Sequence, residues 1–159
     1  MSVERKRPRG QSIIETVVGI IFLIPIVLFL FDVAVLVLCS SANDNLAKSA
    51  ARAAASATDA VTNNGTNAAA RVAAIQICNN FQTSTLIQPA SAGILGGKFM
   101  TGYFWNGPGG GVEGTNANCA AGQVCVVTTM RVNVPVPFGP FTGSDFRARA
   151  VEPIVSISP

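Results

Sequence analysis

From Thr16 to Cys39 the chain runs for 24 residues with a single charge, Asp32. As a helix, that run measures about 36 Å at 1.5 Å per residue, enough to cross a hydrocarbon core of ~30 Å. No other stretch constrains the fold as strongly. The chain is 49% hydrophobic and only 12% charged, but much of the apolar content lies in this one block. The average therefore says little about a soluble core, and 159 residues leave room for one modest domain beside the helix.

The formal charge of +3 is equally localised. Arg5, Lys6, Arg7 and Arg9 stand against Glu4 within residues 1–10, and the remainder is neutral. A nucleic-acid-binding reading needs a basic face on the folded part and gets no support. With four basic residues before the apolar run and only Lys48 and Arg52 close behind it, the positive-inside rule puts the N-terminus in the cytoplasm. The C-terminal part is then exported. Three further readings of the run stay open beside a retained, processed helix. A secretory signal cut near Ser40-Ser41-Ala42 would need an apolar region longer than the usual 7–15 residues. A lipoprotein signal ending at Cys39 would have Leu38 where a small residue belongs. An unprocessed single-pass anchor needs no cleavage at all.

Four regions follow along the chain. Residues 1–10 form a charged leader containing Pro8. Residues 12–61 read as one long helix, apolar first and Ala-rich from Leu46 to Val61, because alanine is the best helix former. Pro25 removes one backbone hydrogen bond and is expected to kink it. Asn63-Asn64-Gly65 is a stop signal. A second helix is expected over 67–81, with Val72, Ile75 and Cys78 at helical spacing. Residues 83–122 read as an irregular, glycine-rich loop. Its aromatics Phe99, Tyr103, Phe104 and Trp105 either pin the loop to a core or form an exposed contact patch. Residues 123–136 alternate Val124, Val126, Thr128, Met130, Val132 and Val134 with Cys125, Val127, Thr129 and Arg131, the mark of a strand with one buried face. Pro135 to Pro140 ends it, and Phe146–Ile157 reads as a returning strand broken at Pro153. The expected fold class is α+β, divided as a leader (1–10), a transmembrane and extended helix (11–62) and an exported domain (63–159).

Catalytic chemistry has little to build on. Histidine is absent, which removes the usual general base and the commonest zinc ligand. The acids are scattered, and Gly107–Gly114 lacks the Lys-Ser or Lys-Thr of a phosphate loop. No enzyme activity, metal or cofactor is expected. Cys78, Cys119 and Cys125 fall on the exported side, where disulfides persist. Cys119 could pair with Cys125, or Cys78 with either, and one of the three stays unpaired. Cys39 is expected to be a buried free thiol.

The two carboxylates of the apolar region are the principal candidate functional residues. A charge in mid-membrane costs roughly 2.5–3.5 kcal/mol on insertion scales, so each calls for a partner or a function. Glu15 stands four residues after Gln11. A cut after Gly10 would turn Gln11 into a free ammonium that Glu15 of the same or a neighbouring chain can neutralise. Otherwise Glu15 sits among headgroups. Asp32, about 22 Å beyond Val17 along a helix, could accept a proton, reach headgroups or meet a donor on a partner helix.

Gly10-Gln11-Ser12-Ile13-Ile14-Glu15, then Ile24-Pro25 within the apolar run and Phe31-Asp32 before its end, resemble the TadE-like pseudopilins of tight-adherence (Flp/Tad) pili. The resemblance covers about residues 5–55. Thr16 replaces the usual aromatic after the glutamate, and Pro25 lies later than usual. The resemblance implies a type IV prepilin signal cut between Gly10 and Gln11 by a prepilin peptidase, with Glu15 as the assembly carboxylate. It implies a pilin-like exported domain. The implied partners are related pseudopilins, the major pilin, the inner-membrane pilus assembly platform and membrane lipid.

Overall fold

A computed structural model describes residues 9–57, 68–90, 93–107, 112–115, 119–134 and 143–154. Helix α1 spans Arg9–Ser56, 48 residues without a break, and α2 spans Ala68–Asn80. Strand β1 (Ile87–Pro89), a 3₁₀ turn (Ile94–Gly96), β2 (Met100–Asn106), β3 (Val112–Thr115), β4 (Gln123–Val132) and β5 (Ser144–Pro153) complete the order. The class is α+β, as the residue pattern implies. Pro25 lies inside α1, and the helix continues through it. The stop signal at Asn63-Asn64-Gly65, the leader before Arg9 and the proline-rich stretch from Pro135 to Pro140 lie outside the described residues.

Strand β4 is the centre of an antiparallel sheet. It pairs with β5 over its whole length, from Gln123↔Pro153 to Val132↔Ser144. On its other side it pairs with β2 near its start and with β1 near its end, and β3 adds outside β2. Proline is tolerated at the end of β1 because that strand has a partner on one side only. Gly122, at φ 76°, makes the turn into β4, a backbone that other residues rarely adopt. Its amide donates to the Asn106 carbonyl and its own carbonyl accepts from Ile154.

The expected irregular loop over 83–122 is corrected by this sheet, since three of the five strands lie within it. The physical reason is visible in β2. Tyr103-Phe104-Trp105 is a run of good strand formers, but a bulge between Met100 and Gly102 breaks the period-two pattern. Glycines on either side then read as loop.

Two helices cover one face of the sheet. Val124, Val126, Thr128, Met130 and Val132 of β4 point inward with Tyr103, Trp105, Ala148 and Ala150, and all are buried. Each fully buried Val, Met or aromatic side chain contributes about 1.5–3 kcal/mol. Against them α1 sets Leu46, Ala47, Ala50, Ala51, Ala54 and Ala55, and α2 sets Ala70, Ala74 and Cys78. Small side chains let helix and sheet backbones approach closely. Phe81 closes one end of this core edge-on to Phe99, ring centres 5.3 Å apart. Phe99, Tyr103 and Trp105 are therefore core residues, and the exposed-patch reading does not hold for them.

Candidate functional site

Helix α1 has two unlike halves. From Ile13 to Phe31 no side chain is buried, and bulky apolar groups point outward on every side. Ile13, Phe22 and Leu30 are at least 60% exposed. A helix apolar all round requires an apolar surround. By length and composition this one could cross a membrane. From Asp32 onward a single stripe turns inward: Asp32, Cys39, Asn43, Leu46, Ala50 and Ala54, at spacings of three, four or seven residues. The opposite side of the same turns, at Val33, Val37 and Leu38, stays exposed.

The sequence-identified residues fall along this helix. The helix starts at Arg9, so the Gly10–Gln11 bond lies in its first turn. Gln11 and Glu15 are four residues apart along this helix, about one turn. Glu15 is exposed. Asp32 is not: it is 1% exposed, and neither carboxylate oxygen has a hydrogen-bond partner. This orientation could not be read from the residues alone, because the apolar run around it has no polar side to set a phase.

Sequence reasoning missed the polar seam between helix and sheet. Asn43 Nδ2 donates to the Phe146 carbonyl at 2.9 Å, and Thr128 Oγ1 donates to Asn43 Oδ1 at 2.8 Å. Asn43 and Thr128 are buried. Buried polar groups cost stability unless paired, so this pairing favours one register of α1 on the sheet. The available signal was Thr128, a hydroxyl in the inward set of a strand otherwise lined by Val and Met. Farther along, Arg52 Nε donates to Glu152 Oε1 at 3.2 Å, but the arginine side chain is 72% exposed and the pair is weak.

Cys119 and Cys125 form a disulfide, while Cys39 and Cys78 are buried free thiols. The disulfide packs on the outer face of the sheet, where Cys125 and Val127 are covered in part by Phe104. Burial pushes the Cys78 thiol up to about 11, so its reactive thiolate is scarce near neutral pH.

An open groove of about 550 Å³ runs between α1 and α2, lined by Ala42, Asn45, Leu46, Ser49, Ile77, Asn80 and Phe81. Its lining is mostly apolar, with two amides and one hydroxyl and no ionisable side chain. Among the described residues no three His, Cys, Asp or Glu side chains gather as a metal site would require. The arrangement offers surfaces and a shaft rather than reacting groups. The chain has no significant match among protein-family models, curated proteins or solved structures.

Proposed function

We propose that this chain is a single-pass, pseudopilin-like component of a tight-adherence (Flp/Tad) pilus or a related secretion system, acting in pilus assembly and adhesion. The observation that supports it most is the division of one unbroken 48-residue helix. One half is bare and apolar on all sides, and the other is locked to a small α+β domain. That construction suits a subunit held first by lipid and then by neighbouring helices.

In this reading residues 1–10 are cytoplasmic and a prepilin peptidase removes them at Gly10–Gln11. The apolar helix is retained, and the new ammonium of Gln11 meets Glu15 of the same or an adjacent copy. Residues 63–159 are exported from the bacterial inner membrane, with the Cys119–Cys125 disulfide formed there. The partners are the peptidase, related pseudopilins, the major pilin and the inner-membrane assembly platform. No catalysis and no cofactor belong to this role.

Gly10→Phe blocks cleavage and Glu15→Ala removes the counter-ion. Each is expected to abolish piliation while the exported domain still folds. Wild-type piliation in both variants would contradict the reading. An unprocessed single-pass binding protein of the cell envelope is the alternative, and it would keep its binding in both. Its natural contact patch, Phe99 to Trp105, is largely spent in the core, with only Phe104 on the outer face.

A further inference from the structure

The outer face of the β4–β5 hairpin, turned away from α1, carries Arg131, Arg147 and Arg149. Arg131 makes a two-pronged bond to Asp145 across the strands, at 2.8 and 3.2 Å. This bond, and then the Asp145 charge, hold the Arg131 pKa above its ordinary value. Asp145 is the one acid of this face among the described residues, because Glu152 points inward to Arg52. Lys98 stands near the same end of the sheet. Its amide is fixed by Asn79 Oδ1 at 2.9 Å, and the next residue's carbonyl accepts from Thr129. Lys98, Arg131 and Arg147 are all exposed.

Two contacts give the height of these residues along α1. Asn43 meets Phe146 and Arg52 meets Glu152, so β5 runs in the same sense as the helix. Nine helical residues, about 13.5 Å, correspond to six strand residues, about 20 Å. The strands are thus inclined, and roughly two-thirds of their length projects on the helix axis. Arg131, three residues past Thr128 on β4, lies about 7 Å toward the N-terminal end from Asn43. Leu38 lies about 7.5 Å in the same direction. Arg131 and Asp145 are therefore level with the end of the exposed apolar run. Arg147, opposite Thr129, sits a few ångströms farther out, and Asp44 lies beyond both. Counting about 30 Å of hydrocarbon from Thr16 reaches the neighbourhood of Leu36, and headgroups add about 5–8 Å.

We infer that Lys98, Arg131 and Arg147 form a docking surface for the anionic headgroups of the membrane that α1 crosses, holding the exported domain against the bilayer. The inference rests on the single-pass reading above. Three cations and one paired carboxylate lie at headgroup height, and arginine and lysine stems are long enough to extend their charges to phosphates. Val37 and Leu38, on the exposed side of α1, lie at about the same height along the helix.

The test uses the full chain in nanodiscs of phosphatidylcholine with and without phosphatidylglycerol, read by amide hydrogen exchange. Anionic lipid should slow exchange in 127–132 and 144–149 by about fivefold, the gain of one basic side chain at an anionic surface. The slowing should vanish in Lys98→Glu/Arg147→Glu and in high salt, and be partial in the milder Arg147→Gln. It should persist in Lys48→Glu, whose charge lies some 15 Å beyond Leu38. Inorganic phosphate at matched ionic strength should give no protection. Equal exchange in the two lipids, or equal slowing in the double variant, overturns the inference and leaves the anchor intact. A chain that does not enter the nanodisc overturns both.

Discussion

The two halves of α1 share a backbone and almost nothing else. Ile13 to Phe31 is built mostly of Ile, Leu, Val and Phe and stays uncovered, whereas Leu46 to Ala55 is built mostly of alanine and has a fully buried side. The larger side chains are the exposed ones, the reverse of a water-soluble helix. Size explains the difference. Where α1 packs on the sheet and α2, Ala50, Ala51 and Ala54 have no accessible surface, and any added methylene must displace a neighbouring element. Where α1 is bare, bulk adds apolar area for lipid or another helix. Stability of the domain should therefore depend on one half, and insertion or assembly on the other.

The strongest way to break that comparison is to exchange side-chain size. Ala50→Leu/Ala54→Leu should cost about 3 kcal/mol or more in thermal unfolding of the detergent-solubilised chain, because overpacked cores are strained. Ile20→Ala/Phe22→Ala should leave that unfolding unchanged and weaken membrane retention. If both pairs shift the melting temperature alike, the division is wrong. Next in size is the polar seam. Asn43→Leu strands the Thr128 hydroxyl and the Phe146 carbonyl, at about 2–3 kcal/mol. Adding Thr128→Val to it should recover part of the loss, and a double variant worse than the sum would show that the pairing is not the cause.

Smaller effects lie farther from α1. Reducing Cys119–Cys125 opens a short loop and should cost about 2 kcal/mol, seen as a lower melting temperature with reductant that Cys125→Ser does not show. Cys78, on α2 against the docked half, gives a pH signature. Its pKa rises from 9.0 to about 11 on folding, so the folded chain binds the extra proton between those values. Stability should be unaffected below about pH 9 and fall as pH rises toward 11, and Cys78→Ala should remove that component of the fall.

Much of the architecture was legible in the residues. A long apolar run with one charge marked α1, helical spacing marked α2, strict alternation marked β4, and Arg147 and Arg149 on one face marked β5. These signals are local, each carried by neighbours in sequence. Strands β1, β2 and β3 were not legible, because glycines punctuate them and a bulge spoils the alternation of β2. The cysteine pairing was open as well. It follows from the turn at Gly122 that brings Cys119 beside β4, where Asn106 Nδ2 donates to its carbonyl at 3.3 Å. Of the candidate site, Glu15 lies within the helix read from residue 12 onward, whereas α1 already contains the Gly10–Gln11 bond, which that reading left outside it. The inward turn of Asp32 and its alignment with Asn43 exist only once the sheet has docked, so no pattern within the apolar run reveals them.

The most direct measurement is the intact mass of the protein isolated from its native cells, with sequencing of its amino end. A chain beginning at Gln11, disulfide closed and apolar helix retained, is the expected product. A chain that still begins at Met1, or one that begins beyond Cys39, would contradict the account.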